Sequence, residues 1–195
     1  TFELSQAYMM FWDKLEKGNY FLENILETLD EPLNGRLVSW LLQAPYNDGG
    51  QWDMAVALVQ KYGVVPKEQM PESFSSSNSA RMNKFLTLKA REYAKTLRES
   101  HAAGKSMAEL REMKERMVEE IYQMLCICLG TPPTQFDFEY RDEEENFHRD
   151  ENLTPHQFYD KYVGRVLDDY VSLINAPTAD KPYHRTFTVG YLGNV

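Results

Sequence analysis

The chain has 195 residues, 43% hydrophobic and 26% charged, with a formal net charge of −9. This is the composition of a globular chain of one domain, or of one domain with an appendage, and excludes a disordered or fibrous one. The acidic balance argues against nucleic acid as a partner, and no apolar run approaches the roughly 20 residues that span a bilayer, so no membrane partner is expected.

No basic region followed by an apolar stretch marks a secretory signal at the N-terminus. Thr1 is not a start methionine, and Thr186–Val195 reads as strand and turn and then stops. Both ends are therefore expected to be trimmed. Cys126 and Cys128 stand two apart in one apolar run, a spacing poorly suited to a bridge. They read as buried, reduced thiols of a cytoplasmic protein rather than catalytic or metal-binding ones.

In chain order, the first third is helical. Leu4, Tyr8, Phe11, Leu15, Leu22, Ile25 and Leu29 recur at steps of three, four and seven, with Ser5 as N-cap and Gly18-Asn19 as a possible break. Asp30-Glu-Pro32 is expected to open a short helix carrying Leu37, Trp40 and Leu41 and closing before Pro45. Asn47-Asp-Gly-Gly50 is a turn before a further helix whose buried face is Trp52, Ala55, Val56, Val59 and Tyr62, ended by Gly63. Pro66 and Pro71 keep Val64–Glu72 extended, and Ser73–Ser79 reads as a loop.

The centre carries the strongest pattern. Met82, Phe85, Leu86, Tyr93 and Leu97 make one helical stripe. Leu110, Met113, Met117, Ile121, Met124 and Cys128 make a second, opened by the capping box Ser106–Glu109 and stopped by Gly130. The short Ala102–Gly104 link makes the pair an αα-hairpin. After it the period changes. Phe136, Phe138 and Tyr140 alternate as a strand, Asp142–Asn146 turns, and Phe147 starts a return strand. Thr154-Pro-His-Gln157 is another capping box, with Phe158 and Tyr162 as its packing face, and Tyr170–Ile174 reads as a short buried strand before a turn at Asn175-Ala-Pro177. The class is α+β, predominantly helical.

Chemistry-bearing patterns are few. There is no His-Glu-x-x-His, Cys-x-x-Cys, Gly-x-Ser-x-Gly or phosphate-cradling glycine loop, and no cofactor is implied. His101, His148, His156 and His184 lie in polar surroundings. The Glu143–Glu145 run near His148 and His156 reads as a solvated turn rather than a metal site. Asn47-Asp-Gly-Gly-Gln-Trp52 is the one loop with two readings. It is either a tight turn with Asp48 or Gly50 as helix cap, or a stretch of main chain stripped of side chains so that a ligand backbone can approach.

Long words along the whole chain resemble the bleomycin hydrolase/aminopeptidase C family of papain-like cysteine peptidases. They are Phe2–Gln6, Phe11–Lys17, Asn19–Glu23, Asp48–Met54, Lys61–Lys67, Pro71–Ser73, Phe136–Arg141 and Asn175–Tyr183. Leu4-Ser5 and Gly49-Gly50 also resemble the Leu-Ser and Gly-Gly landmarks of papain-like proteases generally. The resemblance implies a partial papain-like fold with the helical hairpin as an insertion. It assigns Gly49, Gly50 and Asp48 to substrate binding. It also implies a peptide substrate and a homo-oligomer, hexameric in the family.

In that family the nucleophilic cysteine stands in a Gln-x-x-x-Cys-Trp word upstream of the Phe2–Gln6 segment. The catalytic histidine and asparagine lie downstream of Tyr191-Leu-Gly-Asn194. Neither cysteine nor any histidine here matches, so no catalytic residue is carried over and a central, inactive fragment is expected. Residues 1–78 would be part of the helical domain with the Gly-Gly loop. Residues 79–131 would be the hairpin insertion, and 132–195 a β-hairpin, short helix and strands leading onward. The alternative is a non-catalytic helical interaction module built on the Met-rich hairpin.

Overall fold

A computed structural model describes residues 2–47, 49–164, 166–170 and 184–185. Its first helix, α1, runs from Gln6 to Glu27 without interruption. Ser5 caps it, its Oγ accepting from the Tyr8 amide at 3.0 Å and donating to the Met70 carbonyl at 2.5 Å. Gly18 does not break the helix. A Cβ there would overlap the Tyr46 hydroxyl, so this glycine serves close packing, which in sequence looks the same as a breaker.

Helix α2 spans Arg36–Gln43, later than Pro32 suggested, because Pro32 and Gly35 first close a turn (Gly35 N–H to Pro32 O, 2.8 Å). It buries Val38 and Leu41, while Trp40 is 65% exposed. Helix α3, Trp52–Tyr62, ends at Gly63 (φ +71°), as its position in the sequence indicated. Its apolar face is not buried as expected. Leu58 alone is fully covered, and Trp52 and Ala55 are exposed. The extended stretch then meets the start of the chain, with Leu4 bridged to Pro66 and the Ser5 amide donating to the Val65 carbonyl at 2.9 Å. The serine-rich segment is not all loop. Ser73 and Ser76 form a reciprocal capping box on a one-turn helix, α4 (Phe74–Ser77).

Helices α5 (Ala80–Ala102) and α6 (Met107–Leu129) return on one another through 103–106. The Ser106–Glu109 capping box opens α6, and Gly130 (φ +94°) closes it. Across the pair, Tyr93 Oη donates to Glu120 at 2.6 Å. The buried line of α5 is Met82, Leu86, Ala90, Tyr93, Ala94 and Leu97, with Phe85 outside it. That of α6 is Leu110, Lys114, Met117, Ile121, Leu125 and Leu129. Met113, Met124 and Cys128 are only partly covered. Cys126 and Cys128 are free thiols, half-buried rather than buried. Both helices pack on α1, so one apolar core runs from Ala7 to Tyr159.

Strands β1 (Phe136–Arg141) and β2 (Phe147–Leu153) pair antiparallel with an irregularity between Phe136 and Phe138. Their turn is organised by Asp142, whose carboxylate accepts from the Asn146 amide at 2.8 Å and faces His148 Nε2 at 2.8 Å. Thr154 and Gln157 cap the short α7 (Pro155–Phe158), which continues as a wide turn over Tyr159–Val163. Phe158 is fully buried among the rings of Phe2, Phe136 and Phe138. Tyr170 is exposed and not in a strand. The rest of the expected strand, 171–174, and the turn at 175–177 lie outside the described residues. No helix among the described residues is long and apolar enough to cross a membrane.

Candidate functional site

The Gly-Gly loop is positioned by α3, and α3 is held at its far end. There the Tyr62 ring stacks on Trp12 of α1, centroids 3.9 Å apart and 8° from parallel. Tyr62 Oη donates to the Glu16 carboxylate, Lys61 Nζ lies 2.5 Å from Glu16 Oε1, and Tyr8 Oη donates to the Tyr62 carbonyl at 2.7 Å. Burial opposes ionisation of Glu16. The hydrogen bonds from Lys61 and Tyr62 outweigh it and hold the carboxyl below its usual range. Burial pushes the Tyr8 phenol up to about 12, so it remains a donor at neutral pH. Gly63 completes the anchor. Its missing side chain leaves room for the Pro155 carbonyl carbon, 2.5 Å from where a Cβ would stand.

The other end of α3 is bare. Gln51 is the N-cap residue, extended at φ −105° and ψ 162°, and makes no side-chain capping bond. The cap expected of Asp48 or Gly50 is therefore not made by Gly50, and Asp48 lies outside the described residues. Gly49 and Gly50 are exposed, Gly50 has no positive φ, and among the described residues a Cβ on either would meet nothing within 4 Å. Among the described residues no crowding accounts for glycine here. What both positions share is main chain open to solvent from the side-chain direction.

Gly50 borders a groove of about 650 Å³ between α1 and α3, with Ser79 at its edge. Its walls are mostly apolar: Met9 and Met10 from α1, and Trp52, Met54, Ala55 and Leu58 from α3. Asp13 and Lys14 supply the charge. Asp13 is bound to Lys17 at 2.9 Å. Trp52, 44% exposed, lies 5.4 Å from the Tyr170 ring. The sequence reading did not single out Met9 and Met10. Their signal was available, since both are apolar yet fall off the stripe of Tyr8, Phe11 and Leu15, which marks a second packing face on α1.

Among the described residues, the lining of this groove holds neither thiol nor imidazole. Cys126 and Cys128 sit on the last turn of α6. His101 faces Asp30 at 3.1 Å, His148 faces Asp142, and His156 faces the Gln60 carbonyl at 3.2 Å. No cluster of three or more His, Cys, Asp or Glu side chains suited to a metal ion occurs among the described residues. The arrangement can receive an apolar group beside an open main chain. Among the described residues, no cysteine or histidine lines it.

A model of the peptidase C1-like family matches residues 1–195, the whole chain. The chain belongs to that family. Among curated members of similar sequence, aminopeptidase C of Streptococcus thermophilus is 52% identical over 195 residues, covering 100% of this chain and 44% of the relative. Bleomycin hydrolase of Gallus gallus is 46% identical over 198 residues, again covering 100% of this chain and 44% of the relative. The crystal structure of PepW from Lactobacillus rhamnosis superimposes with a TM-score of 0.89 at 57% identity, over 94% of this chain and 41% of that one. This peptidase C1-like chain thus spans less than half the length of the relatives it matches.

Proposed function

We propose that the protein containing this chain is a cysteine-type aminopeptidase that removes N-terminal residues from peptides, and that this chain is its helical middle. In such an enzyme a thiolate adds to the amide carbonyl, the amine leaves, and water releases the acyl group from sulfur. The residues present here bind rather than react. Gly49, Gly50 and Asp48 offer main chain to the backbone of a peptide, with the apolar groove beside them. On this reading residues 1–78 are part of the papain-like helical domain, 79–131 an inserted hairpin containing α5 and α6, and 132–195 a β-hairpin, short helix and strands that lead into the C-terminal part of the parent. The parent uses no cofactor, works in the cytoplasm and assembles as a homo-oligomer.

The observation that supports this reading is the bare main chain at Gly49 and Gly50, where no described residue would crowd a side chain and Gly50 has no positive φ. It occurs in a chain similar throughout to aminopeptidases C and bleomycin hydrolases. On this reading the purified chain hydrolyses no aminoacyl arylamide, because it lacks the thiolate, its base and the oxyanion donor. The intact parent hydrolyses it in a thiol-dependent way. Turnover by the chain alone that disappears on substituting Cys126 or Cys128 would overturn the assignment.

A further inference from the structure

Of the asparagines in this chain, Asn34 alone precedes glycine. The pair lies in the turn entering α2, with Asn34 exposed. Gly35 has an ordinary φ of −67°, so the turn does not need glycine for a left-handed conformation. It needs the close approach, since a Cβ on Gly35 would stand 2.9 Å from the Pro32 carbonyl oxygen. The same missing side chain leaves the Gly35 amide nitrogen unshielded from the Asn34 carboxamide.

We propose that Asn34 is a site of spontaneous modification to aspartate and isoaspartate through a cyclic imide. The Gly35 amide nitrogen gives up its proton and attacks Cγ of Asn34. The new C–N bond closes a five-membered ring, the bond from Cγ to Nδ2 breaks, and ammonia leaves with the proton. Water then opens the ring at either carbonyl. One opening gives aspartate. The other gives isoaspartate, in which the main chain runs through Cβ and Cγ. The net change is loss of ammonia and gain of water.

The hydrogen bond from Gly35 to Pro32 O (2.8 Å) occupies the attacking nitrogen, so the reaction proceeds from the opened turn. Opening is easy at an exposed turn that buries no apolar side chain. Asn24 shows the contrast. It lies inside α1, its Nδ2 donates to the Tyr20 carbonyl at 2.7 Å, and isoleucine follows it.

The two products differ in consequence. Aspartate places a carboxylate beside the uncapped start of α2, where the helix dipole favours it. Isoaspartate lengthens the main chain and parts Gly35 from Pro32. That loosens the entry of a helix that seats Val38 and Leu41 and whose last carbonyls, Leu42 and Gln43, both accept from Arg91 at 2.9 Å.

The test is to age the folded chain at mildly alkaline pH and map it by mass spectrometry with enzymatic methyl-labelling of isoaspartate. Conversion at Asn34 should outpace that at every other asparagine several-fold, and Asn34→Gln should lose the label. Trypsin should cut after Arg36 faster in aged than in fresh protein, but at the original rate in Asn34→Asp. Conversion led by another asparagine, or at Asn34 only in denaturant, would overturn the proposal. Unchanged cleavage after Arg36 in protein carrying isoaspartate would overturn its effect on α2.

Discussion

The two ends of α3 are built in opposite ways. At Tyr62 the helix is fastened by a stacked tryptophan, a buried carboxylate and a glycine fitted against the backbone of Pro155. At Gln51 it has no side-chain cap, exposed glycines before it and an apolar groove beside it. The glycines make the difference plainest: Gly63 is fixed by its surroundings, whereas nothing among the described residues crowds Gly49 or Gly50. A rigid far end with a bare near end is a way to present main chain to another molecule without leaving its position to a loop.

The largest test of this contrast strikes the support beneath the anchored end. Phe11 is fully buried, its ring 5.1 Å from Trp12, which in turn stacks on Tyr62. Phe11→Ala should lower stability by about 3–5 kcal/mol, read as a fall in denaturation midpoint. Next comes Gly63→Ala, which meets both a positive φ and the Pro155 backbone. It should lose at least about 1–3 kcal/mol, and a variant as stable as the wild type would remove the anchor from the account.

Acid provides a smaller effect. The folded chain holds the Glu16 carboxyl below its ordinary value, so the native state binds a proton there less readily than the unfolded chain does. The stabilising contribution is complete above the unfolded carboxylate value of about 4.3 and is lost as pH falls through the lower folded value. Glu16→Gln should therefore show a shallower loss of stability in that acid window. Identical acid-unfolding curves would mean that the Lys61–Glu16–Tyr62 contact contributes nothing.

Much of the fold could be read from sequence because its signals are local. The boxes Ser106–Glu109 and Thr154–Gln157 and the stop at Gly130 each satisfy helix-end groups within a few residues, so sequence spacing suffices. Exposure was harder. Trp40, Trp52 and Phe85 are apolar and fall on plausible stripes, yet each is exposed, because burial depends on what packs opposite. Gly18 was misread for the same reason: the Tyr46 hydroxyl that excludes a side chain there is distant in sequence. The Gly-Gly loop was visible as a pattern. That no described residue crowds its glycines, the fact that favours a binding role, needed coordinates.

The central claim is that Gly50 is glycine for the sake of a bound peptide. Gly50→Ala in the intact parent tests it most directly, because the added methyl meets nothing among the described residues. The account predicts a melting temperature unchanged within about 0.5 kcal/mol of stability. It also predicts a loss of roughly tenfold in kcat/KM for an aminoacyl arylamide, about 1.4 kcal/mol of transition-state binding. An unaltered kcat/KM in a fully stable variant would contradict it and leave the loop as a turn.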